Sequence, residues 1–170
     1  AFDKGILKRA IEKVDEDYAV DEEYESALDE AVDAATVEAV ELSSRETELL
    51  DEMRIWADRA SGRADSKADA LFAWLDEYLR PGGEWNDQRV IIFTEYRATQ
   101  VWFANLLAAR GYAGEHLMQL YGGMDPEERD RVKAAFQASP RDADVRILLA
   151  TDAASEGIDL QNHCSLMVHV

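Results

Sequence analysis

The first sixty residues have a helical rhythm. Tyr24, Leu28, Val32, Ala35, Ala39 and Leu42 recur every three or four positions, which puts them on one stripe of a helix. Asp and Glu fill most of the opposite face. Ser43-Ser44-Arg45-Glu46 has capping-box spacing, in which a hydroxyl and a carboxylate each satisfy a free N–H of the first turn. Leu49, Leu50, Met53, Trp56 and Ala60 continue behind it at helical spacing, and neither Pro nor Gly interrupts residues 6–61. So few large apolar side chains make such helices marginal alone. They are expected to pack their stripe on a neighbouring domain and leave the acid in water. A docking surface for a protein partner, or a decoy for a basic groove, is the functional reading of the same acidic face.

The rhythm changes at Ser61-Gly62-Arg63, and the boundary is placed there: an acidic helical segment at 1–61 and a domain at 62–170. Ser66-Lys67-Ala68-Asp69 opens a helix carrying Leu71, Leu75, Tyr78 and Leu79, which Pro81-Gly82-Gly83 ends. Arg89–Thr94 is a short apolar run of the kind found in strands buried on both faces. A helix follows at Arg97–Arg110, with Val101, Ala104, Leu107 and Ala108 at helical spacing and Gly111 just past its end. His116–Tyr121 reads as a second strand. Asp125-Pro126-Glu127-Glu128 starts another helix, with Val132, Ala135 and Phe136 on it. Val145–Ala150 is a third strand, a short helix follows, and Ser165–Val170 is a fourth strand. This alternation requires parallel strands joined by right-handed crossovers, so the domain is predicted to be α/β with a parallel sheet.

Charge narrows the chemistry. The 170 residues carry 36 acidic and 18 basic side chains, a net −18. Residues 1–60 hold 19 acids and 7 bases (−12), leaving 17 and 11 (−6) for 61–170. A free-standing binder of anionic polymers is disfavoured, because phosphate binding depends on clustered Lys and Arg. Nucleic acid as the partner of a larger assembly remains compatible. The Arg-rich, Lys-poor, Ala-rich composition fits either a GC-rich genome or adaptation to high salt. Cys164 is the one cysteine, so no internal disulfide can form, and a reducing, cytoplasmic setting is expected. No run approaches the roughly 18 apolar residues of a membrane span, so no membrane partner is expected.

In open parallel sheets, ligands meet the loops at the C-terminal ends of the strands. Three such loops combine hydroxyls, small residues and helix N-termini, whose free N–H groups suit a phosphate backbone. They are Thr94–Thr99, Tyr121–Met124 and Thr151–Leu160. A GxGxxG after the first strand is absent, which disfavours a dinucleotide or flavodoxin-like site, and no GxxxxGK[ST] occurs. His116, His163 and His169 have no metal-ligand spacing with each other or with Cys164, so no metal site is expected. Trp56, Trp74, Trp85 and Trp102 are expected to be packing residues rather than a base-stacking platform. No nucleophile–base pair stands out, and no catalytic residue is assigned.

In order and spacing these segments resemble the second, C-terminal RecA-like lobe of superfamily-two helicases and translocases. RVIIFTEYRAT at 89–99 resembles motif IV, and YGGMDPEERDRVKAAFQ at 121–137 is similar to the glycine turn and the helix after it. ILLATDAASEGIDLQ at 147–161 resembles motif V, and SLMVHV at 165–170 the strand before motif VI. Ser66-Lys67 is similar to the opening of that lobe. The wording of motifs IV and V is closest to bacterial and archaeal Swi/Snf-like proteins, and the resemblance covers about residues 64–170.

The resemblance implies a RecA-like parallel sheet flanked by helices, acting as the second motor lobe of an ATP-dependent helicase, translocase or remodeller. Thr94, Gly122 and Thr151 match positions that touch the tracked strand of DNA or RNA. Gly157 and Asp159 match motif V positions facing the ATP cleft; Swi/Snf-type lobes often have Asn where Asp159 stands. ATP and Mg2+ belong to a full-length parent, whose first RecA-like lobe would be the partner of this one. The sequence reaches Val170 where the family continues into motif VI, so the chain is expected to end ahead of that motif and to be inactive toward ATP alone. A non-enzymatic protein-interaction module on the same scaffold is the alternative.

Overall fold

Strands that are apolar along their whole length need cover on both faces. The computed structural model of the chain describes residues 26–27, 30, 32, 42–151 and 162–170. Within these, helices α1 (Ser44–Ser61), α2 (Ser66–Leu79), α3 (Arg97–Ala109) and α4 (Pro126–Gln137) accompany strands β1 (Val90–Thr94), β2 (Leu117–Leu120), β3 (Ile147–Thr151) and β4 (Leu166–His169). The strands form an all-parallel sheet in the order β2-β3-β1-β4. The expected α/β, RecA-like architecture is what the chain adopts.

Side chains of a strand alternate between the two faces of its sheet, and the core divides accordingly. Val90 and Ile92 of β1, with Ile147 and Leu149 of β3, pack against Leu71, Phe72, Leu75 and Leu79 of α2 and Phe103 and Leu107 of α3. Ile91, Phe93, Leu148 and Ala150 face the other way, toward Val132 and Phe136 of α4. Each Val, Leu, Ile or Phe so buried contributes about 1.5–3 kcal/mol relative to exposure. The central strands β1 and β3 are therefore buried throughout, while the edge strands β2 and β4 are mostly half-buried or exposed. From β1 the chain crosses past β3 to β2 by way of α3, then returns to β3 by way of α4 on the opposite face. Reversing direction and face together keeps one crossover hand.

Local chemistry sets where the elements start and stop. Ser43 and Glu46 form the expected reciprocal cap of α1: the Ser43 N–H donates to Glu46 Oε2 at 2.8 Å, and the Glu46 N–H to Ser43 Oγ at 3.4 Å. The Ser43 hydroxyl and N–H together pull the Glu46 carboxyl below the usual carboxylate range. Asp65 rather than Ser66 caps α2, accepting the Ala68 N–H at 2.8 Å. Asp125 accepts the N–H groups of Glu127 and Glu128 at 3.0 and 3.1 Å, with Pro126 at the first helical position. Gly111, past the end of α3, has φ +84°, a conformation a Cβ would strain.

Three readings shift. The buried stripe of α3 is Gln100, Phe103, Ala104 and Leu107, whereas Val101 is 42% exposed. The two faces share Ala104 and Leu107, and the buried one is turned toward the Gln100–Phe103 side because Phe103 is the larger side chain to cover. The strands begin later than their apolar runs: β1 starts after Arg89, and β3 starts after Val145 and Arg146. Trp74, Trp85 and Trp102 pack against the core, but Trp56 is 72% exposed. Its helix offers too little apolar surface around it to enclose an indole, and α1 buries none of its residues.

By internal contacts the chain divides into two compact units, Ala1–Gly62 and Arg63–Val170. In the first, Val32 is helical and Leu42 precedes the cap of α1. Tyr24, Leu28, Ala35 and Ala39 lie outside the described residues, as does the short helix expected after β3.

Candidate nucleic-acid interface

The C-terminal ends of the strands form one rim of the sheet. Thr94 ends β1 and Thr151 ends β3, and the two are register partners on adjacent strands. Both lie inside strands rather than in loops, because the β1–β3 ladder runs one pair beyond Phe93 and Ala150. They are also buried, at 1% and 0% exposure. Thr94 Oγ1 donates to the Tyr96 carbonyl at 3.3 Å. A hydroxyl has one proton, so in this arrangement Thr94 offers a phosphate oxygen no donor until that proton turns away from Tyr96.

Gly122, the third position expected to meet nucleic acid, follows β2 on the same rim and is buried. The turn Tyr121–Met124 closes with the Met124 N–H on the Tyr121 carbonyl at 3.5 Å, and Gly123 has φ +81°. The turn delivers the chain directly into Asp125, the cap of α4. Thr94, Gly122 and Thr151 thus share one edge of the sheet. Gly157 and Asp159 lie outside the described residues.

Four side chains hold this rim together, of which Gln100 and Gln119 lie outside the loops that the sequence singles out. Gln100 is fully buried, and its amide N–H groups donate to the Leu120 carbonyl at 3.0 Å and the Leu149 carbonyl at 2.7 Å. Its Oε1 accepts from the Arg97 guanidinium. Arg97 also donates to Gln119 Oε1 at 3.1 Å and lies 3.6 Å from the centroid of the Tyr121 ring. At that distance a guanidinium and an aromatic face attract by cation–π interaction. The sequence did carry a signal. Gln100 stands at i, with Phe103, Ala104 and Leu107 at i+3, i+4 and i+7, and a polar residue on an apolar stripe must have its amide satisfied inside.

The opposite rim holds two buried arginines. Arg89 donates to the carbonyls of Val145 (3.0 Å), Ala138 (2.6 Å), Ala143 (3.2 Å) and Phe136. Arg146 donates to those of Asn86 (2.6 Å), Ala143 (2.9 Å), Val145 (3.1 Å) and Pro140 (3.1 Å). Burial, with Arg146 close by, pushes the Arg89 pKa down, against weaker opposition from Cys164 and Asp87.

His116 packs on Trp85 with its ring tilted by 33°, and His169 stacks on Phe93. Among the described residues, no group of three or more His, Cys, Asp or Glu side chains is placed to hold a metal ion. No GxxxxGK[ST] occurs in the sequence, so the described residues do not by themselves fit ATP or Mg2+.

The model of the helicase conserved C-terminal domain matches residues 70–170. The chain is 36% identical over 83 residues to the uncharacterized ATP-dependent helicase YqhH of Bacillus subtilis (strain 168), covering 49% of this chain and 13% of that protein. It is 34% identical over 71 residues to the DEAD-box ATP-dependent RNA helicase 35B of Oryza sativa subsp. japonica, covering 42% of this chain and 10% of that protein. The matched stretch is thus a small part of each relative. That domain model covers more than half of the chain, which therefore belongs to the helicase conserved C-terminal domain family.

Proposed function

We propose that the chain is the second motor lobe of an ATP-dependent nucleic-acid translocase or remodeller of Swi/Snf-like type. Its rim lies along one strand of DNA or RNA, and Thr94, Gly122 and Thr151 form the contact line. The observation that carries this reading is the register pairing of Thr94 with Thr151 at the ends of the two central strands, beside the Gly122 turn. Contacts made there by hydroxyls and backbone N–H groups read phosphate and sugar, which suits a motor indifferent to sequence. Engaging a phosphate re-aims the Thr94 proton away from Tyr96. We assign Gly157 and Asp159 to the ATP cleft on the resemblance of their sequence to motif V. A first RecA-like lobe supplies the phosphate loop and Mg2+ ligands of the site. Phosphoryl transfer needs cradle, metal and arginine in one place, so this lobe contributes position rather than chemistry.

The test is nucleic-acid-stimulated ATP hydrolysis by the full-length protein. Thr151→Val keeps the shape and β preference of the buried side chain and removes only the hydroxyl. It should lower the stimulated rate about tenfold, or ~1.4 kcal/mol, with little change in melting temperature. Gly157→Val should lower it further by displacing the motif V turn. Stimulated rates at the wild-type level in both variants would sink the assignment. A fall in rate that tracks a fall in melting temperature would make the residues structural.

A further inference from the structure

Gln100 is more than a buried polar residue with its bonds made. A glutamine amide has two N–H donors and a carbonyl acceptor, and all of these groups are engaged inside the protein. The donors reach Leu120, the last residue of β2, and Leu149 of β3, so one side chain from the second turn of α3 bridges two strands. The acceptor holds Arg97, which spans Gln119 and the ring of Tyr121. Leu120 and Tyr121 lead straight into Gly122. The chain Gln100–Arg97–Tyr121 therefore sets where the Gly122 turn stands relative to the start of α3 and the ends of β1 and β3. An apolar side chain of the same length would fill the space but leave two carbonyls without their donor and Arg97 without its anchor.

We infer that Gln100 is a positioning residue for nucleic-acid engagement: through Arg97 and Tyr121 it holds the Gly122 turn at the spacing that the Thr94–Thr151 pair requires of a bound phosphate backbone. This rests on the rim being the nucleic-acid track. The role is geometric, and misplacing a contact group by about 1 Å is enough to weaken what it positions about a hundredfold at the extreme. Arg97 takes part as a stacked cation inside the rim, and Gln100 touches no substrate atom.

The experiment uses the full-length protein and titrates single-stranded DNA and RNA oligonucleotides into an ATPase assay. The two quantities read are the concentration for half-maximal stimulation and the rate at saturation. Gln100→Met, unbranched and of similar length, should raise the half-saturating concentration about tenfold, ~1.4 kcal/mol of binding, while the saturated rate falls no more than about twofold. A merely structural role would lower the saturated rate and the melting temperature together and leave half-saturation in place, and that result overturns the inference. Tyr121→Phe keeps the ring under Arg97 and should retain the wild-type half-saturation, whereas Tyr121→Ala should raise it; equal behaviour of the two also overturns it. Should Gln100→Met not fold, Arg97→Met breaks the link to Tyr121 without touching the two carbonyl bonds, and wild-type half-saturation there decides against the inference. A wild-type protein whose ATPase ignores DNA and RNA overturns the track reading and this inference with it. One that responds, with unaffected variants, overturns this inference alone.

Discussion

The two rims of the sheet solve opposite problems with opposite side chains. At the N-terminal rim, Arg89 and Arg146 are buried and close off six backbone carbonyls, several of them at or just past the end of α4. The last carbonyls of a helix have no partner within it, and a guanidinium, with five donors in a rigid fork, suits them. At the C-terminal rim the buried polar side chains are neutral: Thr94, Gln100 and Thr151. Buried cationic side chains in this acidic chain can thus serve the fold rather than a ligand. Two of them serve the fold at the far rim, and Arg97 is stacked within the candidate site rather than projecting from it.

If the rims divide the labour this way, the largest effect of any single change on stability should come from the arginine side. Arg89→Met should cost about 3 kcal/mol or more, because it strands several buried carbonyls at once. Arg89→Lys should cost less but still weaken the protein, since an ammonium cannot reproduce the fork. Urea unfolding of the variants measures both. A neutral Arg89→Met would erase the contrast. Thr151→Val should show the reverse pattern, with activity lost and stability kept.

A smaller effect should appear in alkaline solution. Tyr112, fully buried beyond the C-terminal end of α3, bonds to the Asp76 carboxylate. Burial first, then that carboxylate, hold its phenol well above the usual range, against the partial opposition of Arg80. In the unfolded chain the phenol ionises from about pH 10, whereas in the folded protein it stays protonated. The unfolded state then binds fewer protons, so stability falls as pH rises past that point, by up to about 1.4 kcal/mol per pH unit from this group. Tyr112→Phe should flatten that slope in pH-dependent thermal melts. An unchanged slope would assign the alkaline loss to another group.

The smallest effect concerns Cys164. Its thiol donates toward the Arg89 and Leu166 carbonyls at 3.4 and 3.3 Å, and burial raises its pKa. Alkylation of the native protein should therefore be slow and should accelerate only with conditions that separate β4 from β1. Rapid labelling at neutral pH would mean that the N-terminal rim is looser than its arginines suggest.

Much of the fold was legible because the elements obey local rules. β1 and β3 are continuous apolar runs, as doubly covered strands must be, and the caps Ser43 and Asp125 lie where their spacing puts them. What escaped was decided by tertiary competition. The apolar alternatives on α3 share Ala104 and Leu107, and covering Phe103 carried Gln100 inside and left Val101 outside. Arg89 and Arg146 fall within the strand runs of the sequence, and nothing local reveals that α4 ends beside them. Strand ends pointed to the loops around Thr94, Gly122 and Thr151, and the resemblance to the helicase lobe singled out those three residues. The latch behind them was not found, because it joins positions about twenty and fifty residues apart, and such pairings come from topology rather than from spacing.

The strand order has a consequence for how the domain comes into being. β1 and β2 are successive in the chain but never touch, because β3 lies between them. As the ribosome delivers the polypeptide, β1, α3 and β2 emerge with no native sheet partner available to any of them. Val90–Thr94 must wait until Ile147–Thr151 appears, and then β3 docks against two waiting edges at once. Pairings so distant are slow to find, and the exposed apolar run VIIFT is vulnerable to other chains meanwhile. Assembly of this sheet should therefore be a late, nearly all-or-none event, with a nascent chain halted before residue 147 remaining soluble only under a chaperone's cover.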